Sequence, residues 1–300
     1  MRGKVRLFIE YLQYERNYSV HTVSAYINDL CQFVSFLEKK EALEGESFPV
    51  DRVDTDIVRQ WMMGLMKESL SSASVNRKLS ALHSFFKYLV RQGVLKKHPF
   101  PLLSGPKKVR VLPYFIKEKE IEEALDEKNF AQDFEGIRNR LMLEMFYETG
   151  IRCSELVGIK NTDVDLEAMV LKVTGKRNKQ RLIPFAARLK EMIINYTNVR
   201  ARDIGTESSS FFVRKDGRSV TSAIVYYAVK KKLSDIPMLS KRSPHVLRHT
   251  FATSMLNDGA EISAVRNLLG HSSLASTSVY THVTFEELKK VYNAHPRAKK

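Results

Sequence analysis

The 300-residue chain has only two cysteines, Cys31 and Cys153. They make neither a disulfide framework nor the paired spacing of a zinc site, so the expected setting is a reducing cytoplasm. Long apolar runs are missing too, and no stretch approaches the length of a membrane-spanning helix. The start, Met1-Arg2-Gly3-Lys4-Val5-Arg6, passes at once into an amphipathic pattern and lacks the apolar centre of a signal peptide. Acidic residues are in deficit, 34 Asp+Glu against 49 Lys+Arg, which leaves a net charge of +15. A polyanion suits such a balance, although a ribosome-associated or merely basic soluble protein would share it.

The length suggests about two domains, each large enough for its own core. In the first, Tyr26, Ile27, Leu30, Phe33, Val34 and Leu37 recur at helical spacing, as do Val58, Trp61, Met62 and Leu65, then Val75, Leu79, Leu82, Phe86 and Leu89. These stripes predict packed helices. Ser71-Ser72-Ala73-Ser74 offers an N-cap, which places Asn76, Arg77 and Lys78 in the first turns of the helix that follows. Cations there oppose the helix dipole, so Arg77 and Lys78 are candidates for phosphate contact, with a solvated polar face as the alternative. Prolines at 99, 101, 106 and 113 and the basic residues Lys107, Lys108 and Arg110 mark a linker. Fully extended it would span about 50 Å, with its cations placed to lie on a DNA backbone or simply solvated.

Helices resume from Lys117. Met169 to Thr174 and Gln180 to Pro184 read as two strands joined by a hairpin turn at Gly175-Lys176-Arg177-Asn178-Lys179. Arg152 is expected at the start of a helix, with Glu155 three residues on, either bracing a guanidinium or acting as an ordinary first-turn acid. Pro244 precedes His245 at a helix start that presents His245 and Arg248 together. His245 and His249 have the i, i+4 spacing of zinc ligands, but Arg248 beside them disfavours a cation, and no metal is expected. Two arginines can grip the non-bridging oxygens of a phosphodiester while a tyrosine hydroxyl attacks phosphorus, a chemistry that needs no metal or nucleotide cofactor.

The order Arg152, Lys176, His245-Val246-Leu247-Arg248, His271, Tyr280, with the tyrosine nine residues after His271, resembles the catalytic signature of the tyrosine recombinase (phage integrase) family and, within it, the bacterial Xer-type enzymes. The likeness extends along nearly the whole chain. It implies a mainly α protein: a helical, SAM-like core-binding domain over 1–97, a linker over 98–113, and an α-rich catalytic domain over 114–300 with a small antiparallel β-sheet and a tail helix near 284–293. It also implies that Tyr280 is the nucleophile, Lys176 the general acid, and Arg152, Arg248, His245 and His271 the phosphate-binding or proton-handling groups. Glu155 would be a supporting carboxylate, and Arg177 and Lys179 would hold DNA backbone. Thr284-Phe285-Glu286-Glu287 is a capping box, and Phe285, Leu288, Val291 and Tyr292 form a stripe that, in the family, docks into a neighbouring protomer; packing onto its own domain is the alternative.

The expected partners are a double-stranded DNA recombination site, a homotetramer or a heterotetramer with a paralogous recombinase, and an activating DNA translocase, with no membrane. Chromosome or plasmid dimer resolution is the leading role. A simple transposon or phage integrase is the rival within the family, though arm-binding integrases carry an extra N-terminal domain, whereas the core-binding pattern here begins within the first ten residues. Type IB topoisomerases share nearly the same residues, and a catalytically silent DNA-binding protein would keep the fold without the chemistry.

Overall fold

The computed structural model describes residues 1–40, 48–107, 115–175, 178–236, 239, 241–270, 292, 295 and 296. By its contacts the chain divides into two units, Met1–Val111 and Leu112–Lys300.

The first unit is built from four helices: α1 (Arg2–Glu10), continued by a π-turn over Tyr11–Glu15, α2 (Val20–Lys40), α3 (Thr55–Lys67) and α4 (Ser72–Arg91). Local chemistry sets the helix starts. Asp54 accepts a hydrogen bond from the Ile57 N–H (2.8 Å), and Ser71 accepts one from the Ser74 N–H (3.2 Å), which satisfies donors that the first helical turn leaves free. The apolar stripes then meet in one core, with Leu30, Phe33, Leu37, Val58, Trp61, Val75, Leu82 and Phe86 all buried. Ile27 departs from the expected stripe and is 36% exposed, because the face of α2 that packs is narrower than the sequence pattern. Phe8 and Phe85 fill the space between helices and meet edge to face at 5.4 Å.

The expected linker is partly seated on this unit. Phe100 is buried in the same core, His83 Nε2 donates to the Leu103 carbonyl (3.0 Å), and Asn76 Nδ2 donates to the Pro106 carbonyl (2.8 Å). These contacts hold residues 98–106, the first part of the stretch expected as a linker over 98–113, against α4. Residues 108–113 lie outside the described ones.

In the second unit, α5 (Glu118–Ala124) leads to α6 (Phe134–Thr149), which is buried on nearly every side from Leu141 to Thr149. A helix apolar or internally paired all round belongs in a core, and α6 packs against the later helices over Ala187–Asp203, Ser222–Leu233 and Pro244–Asn257. After it come α7 (Cys153–Val157) and a three-stranded antiparallel sheet of β1 (Val164–Asp165), β2 (Val170–Thr174) and β3 (Gln180–Pro184). β2 and β3 pair as the expected hairpin, in a register that sets Thr174 opposite Gln180 and Val173 opposite Arg181. The short β1 was not foreseen. Helices α8 (Ala187–Asp203), α9 (Ser222–Leu233), α10 (Pro244–Asn257) and α11 (Ile262–Leu269) complete the described elements.

Candidate active site

The site is assembled where two helix ends converge. Helix α6 ends at Gly150, whose left-handed backbone (φ 59°) turns the chain sharply. A Cβ at this position would run into the Phe251 ring and lie 2.8 Å from Leu269 Cδ2, so only glycine permits the close approach to α10 and α11. Two residues on, Arg152 caps α7, and Glu155 in the first turn accepts from the Arg152 backbone N–H (2.8 Å) and from its Nη1 (2.8 Å).

Helix α11 supplies the counterpart. It ends at Gly270, also left-handed (φ 63°), so its last carbonyls have no helical partners and carry the negative end of the helix dipole. Each of three consecutive carbonyls accepts from a different arginine. Arg181 Nε donates to Leu268 O (2.8 Å), Arg248 Nη2 to Leu269 O (2.6 Å) and Arg152 Nη2 to Gly270 O (3.1 Å). Arg248 also donates through Nη1 to the Gly150 carbonyl, which ties the ends of α6 and α11 together. Helix α10 presents this arginine from its second turn, with Pro244 at the helix start as the sequence predicts; His245 lies exposed three residues earlier.

Burial shapes the charges. Burial alone would push the Glu155 carboxyl up, but hydrogen bonds and charge from Arg181, then Arg152, hold it at about 2. Desolvation and the neighbouring Arg152 lower Arg248 to about 10, so it stays protonated at neutral pH. Desolvation also lowers the half-buried His249, and burial pushes the Cys153 thiol up. Among the described residues no cluster of His, Cys, Asp and Glu could hold a metal ion.

Of the residues singled out in the sequence, Arg152, Glu155 and Arg248 are thus brought together. Lys179 is exposed on the β2–β3 hairpin, its carbonyl accepting from Gly175 N–H (2.8 Å). Lys176, Arg177, His271, Tyr280 and Lys108 lie outside the described residues, as do Phe285, Leu288 and Val291 of the tail. In the first unit Lys107 is exposed and Arg77 pairs with Asp29. Lys78 requires a correction. It is only 5% exposed, and its ammonium donates to Asp29 (3.0 Å) and Gln32 inside the helical core, where no phosphate reaches it. Tyr292 of the tail packs on its own unit, its hydroxyl donating to Glu148 Oε2 (3.2 Å), beside a buried His295 stacked on Phe251. This is the packing onto its own domain that the sequence offered as the alternative to docking into a neighbour.

Arg181 was missed. In the sequence it is one basic residue in Gln180-Arg181-Leu182-Ile183, and with apolar residues at both 182 and 183 the strand pattern does not say which face is inward. The structure places it on the face of Ile183, which is fully buried.

Residues 114–287 match the phage integrase family and residues 5–93 its N-terminal SAM-like domain. Full-length relatives include the tyrosine recombinase XerC of Staphylococcus carnosus, 41% identical over 98% of this chain and 97% of that protein. The XerC of Chlorobaculum tepidum is 37% identical over 97% and 94%. Among solved structures, the XerH site-specific recombinase bound to a palindromic difH substrate matches with a TM-score of 0.72 at 22% identity, covering 96% of this chain and 84% of that one. The Tn1549 transposon integrase in complex with transposon right-end DNA matches at 0.69 and 20%, covering 96% and 97%. The last two show a common fold. With the family matched across both units and relatives of this identity along the whole length, the chain belongs to the phage integrase family, as a tyrosine recombinase of the Xer type.

Proposed function

We propose that the chain exchanges DNA strands at a specific site through a 3′-phosphotyrosyl intermediate, in the resolution of chromosome or plasmid dimers. The observation that carries the chemistry is the convergence of Arg152 and Arg248 on adjacent carbonyls at the end of α11, one residue before His271 in the sequence. Two guanidiniums so held offer preorganised donors to the non-bridging oxygens of a scissile phosphate. Tyr280 attacks phosphorus and gives up its proton, the bond to the 5′-oxygen breaks, and Lys176 protonates that oxygen as it leaves. His245 and His271 support the pentacoordinate state. One phosphodiester replaces another, so the 5′-hydroxyl of a partner strand reverses the step without a nucleotide cofactor.

The housekeeping role is favoured over a mobile-element integrase by full-length relatives at 37–41% identity that bear the XerC name. On this reading four protomers, of this chain alone or with a paralogue, act on two duplexes in the cytoplasm, under a DNA translocase where one is needed. Arg77, Lys107, Lys108, Arg177 and Lys179 are the proposed backbone contacts.

The test starts from a duplex selected by binding to this protein from a random-sequence pool, then nicked beside the cleavage position. The parent protein forms a covalent adduct on a denaturing gel, and peptide mapping locates it at Tyr280. Tyr280→Phe binds the same duplex and forms none, since only the nucleophilic oxygen is removed. An adduct with the Phe variant would move the nucleophile elsewhere, and relaxation of a plasmid lacking the site would point to topoisomerase activity.

A further inference from the structure

Behind Arg152 lies a third guanidinium with no assigned role. Glu155 has two oxygens, and four donors meet them. Oε1 accepts from Arg152 Nη1 and Arg181 Nη1 (2.8 Å each), and Oε2 from the Arg152 backbone N–H (2.8 Å) and Arg181 Nη2 (2.9 Å). The side chains differ in access: Arg152 is 34% exposed, Arg181 16% and Glu155 1%. Arg152 therefore faces the outside, Glu155 is walled in, and Arg181 closes the far side with its fork on the carboxylate and its Nε on Leu268 O.

Charge bookkeeping gives this arrangement a purpose. With Arg152 alone beside it, Glu155 would cancel that arginine and hold it in a closed ion pair. Arg181 takes both carboxylate oxygens in a bidentate pair, so two guanidiniums share one carboxylate, and with Arg248 seated beside them on Leu269 O the three arginines and one carboxylate keep a net charge of +2. A phosphodiester carries one negative charge, and attack by a tyrosinate adds a second in the pentacoordinate state. The surplus matches what develops. Position matters as well, because Arg181 packs directly on Gly270, where an added Cβ would sit 3.2 Å from its Nη1. The same arginine thus fixes the end of α11 that receives Arg152 and Arg248.

We propose that Arg181 is a positioning residue for strand cleavage, which acts through Glu155 and the α11 carbonyls to hold Arg152 oriented and charged toward the scissile phosphate. The proposal rests on the strand-cleavage function above.

The experiment compares Arg181→Gln with the parent on the selected nicked duplex, in two forms: the natural scissile phosphodiester, and a methylphosphonate there, which has lost the non-bridging charge. On the natural form, Arg181→Gln binds within about threefold of the parent and forms adduct about tenfold more slowly or worse. On the methylphosphonate the gap between the two proteins shrinks to about threefold or less, since little charge remains for an oriented Arg152 to meet. A purely structural defect would slow both forms equally, and that result overturns the proposal, as does a parental rate on the natural form. Should Arg181→Gln fail to fold, Arg181→Lys takes its place; it keeps the charge but not the fork, and the same shrinkage is expected from a smaller initial loss. If the parent forms no adduct at all, the strand-cleavage function itself fails and this proposal with it, a result distinct from normal cleavage by the variants.

Discussion

Glu155 is a buried carboxylate that is useful only while ionised. Its native pKa of about 2 lies below its ordinary value of 4.5, so it adds stability that is fully present above pH 4.5 and drains away as the pH falls toward 2. The full difference is worth up to about 3 kcal/mol, less wherever solvent screens the pair. Glu155→Gln should therefore lose stability at pH 7, because Arg152 and Arg181 then face one another with no counter-charge. It should also lose part of the parent's acid sensitivity between pH 4.5 and 2. Urea unfolding across that range measures both, and an equally steep acid limb in the variant would show that other carboxylates govern it.

Helix ends, rather than helix faces, bring Arg152 and Arg248 of the candidate site together. The chain leaves α6 through Gly150 and α11 through Gly270, and each left-handed residue frees carbonyls that the arginines then occupy. Gly150→Ala places a side chain in a backbone region that disfavours it and against the Phe251 ring and Leu269. A loss of roughly 2–3 kcal/mol is expected from backbone strain and overpacking together. Because the displaced neighbour is the α11 end itself, adduct formation should fall further than DNA binding does. Parallel thermal melts, gel shifts and cleavage assays check this, and unchanged cleavage by a destabilised variant would separate the glycine from the site.

At the scale of the whole molecule, the net charge of +15 suits a partner that is a polyanion, and the family's two domain models match residues 5–93 and 114–287. The tail now has a described anchor in its own unit. Tyr292 is buried against Glu148, and His295 lies among Tyr147, Phe251 and Tyr292. Removing residues 284–300 should uncover that apolar pocket and leave the buried Glu148 without its tyrosine donor, so the melting temperature of the protein alone should drop. Tetramer formation on paired sites should also weaken if the same seat can accept a neighbour's tail. An unchanged melting temperature with a lost tetramer would mean that the contacts of Tyr292 and His295 in the single chain contribute little.

What the sequence determined by itself is whatever depends on neighbours along the chain. Leu30, Phe33, Val34 and Leu37 mark one helical face, Ser71 caps the next helix but one, Pro244 opens α10, and the Gly175 turn sets the β2–β3 register, all through interactions within a few residues. The order of Arg152, Lys176, His245, Arg248, His271 and Tyr280 was legible for a different reason, its resemblance to the signature of the tyrosine recombinases. Only the tertiary structure decided which of the 49 basic residues do what. Lys78 was drawn inward because Asp29, 49 positions earlier, needs a counter-charge in the core, and Arg181 became part of the site because Leu268, 87 positions later, offers a bare carbonyl. A cation looks the same in sequence whether it faces water, a carboxylate or a phosphate; its partner, fixed by packing across the fold, tells them apart.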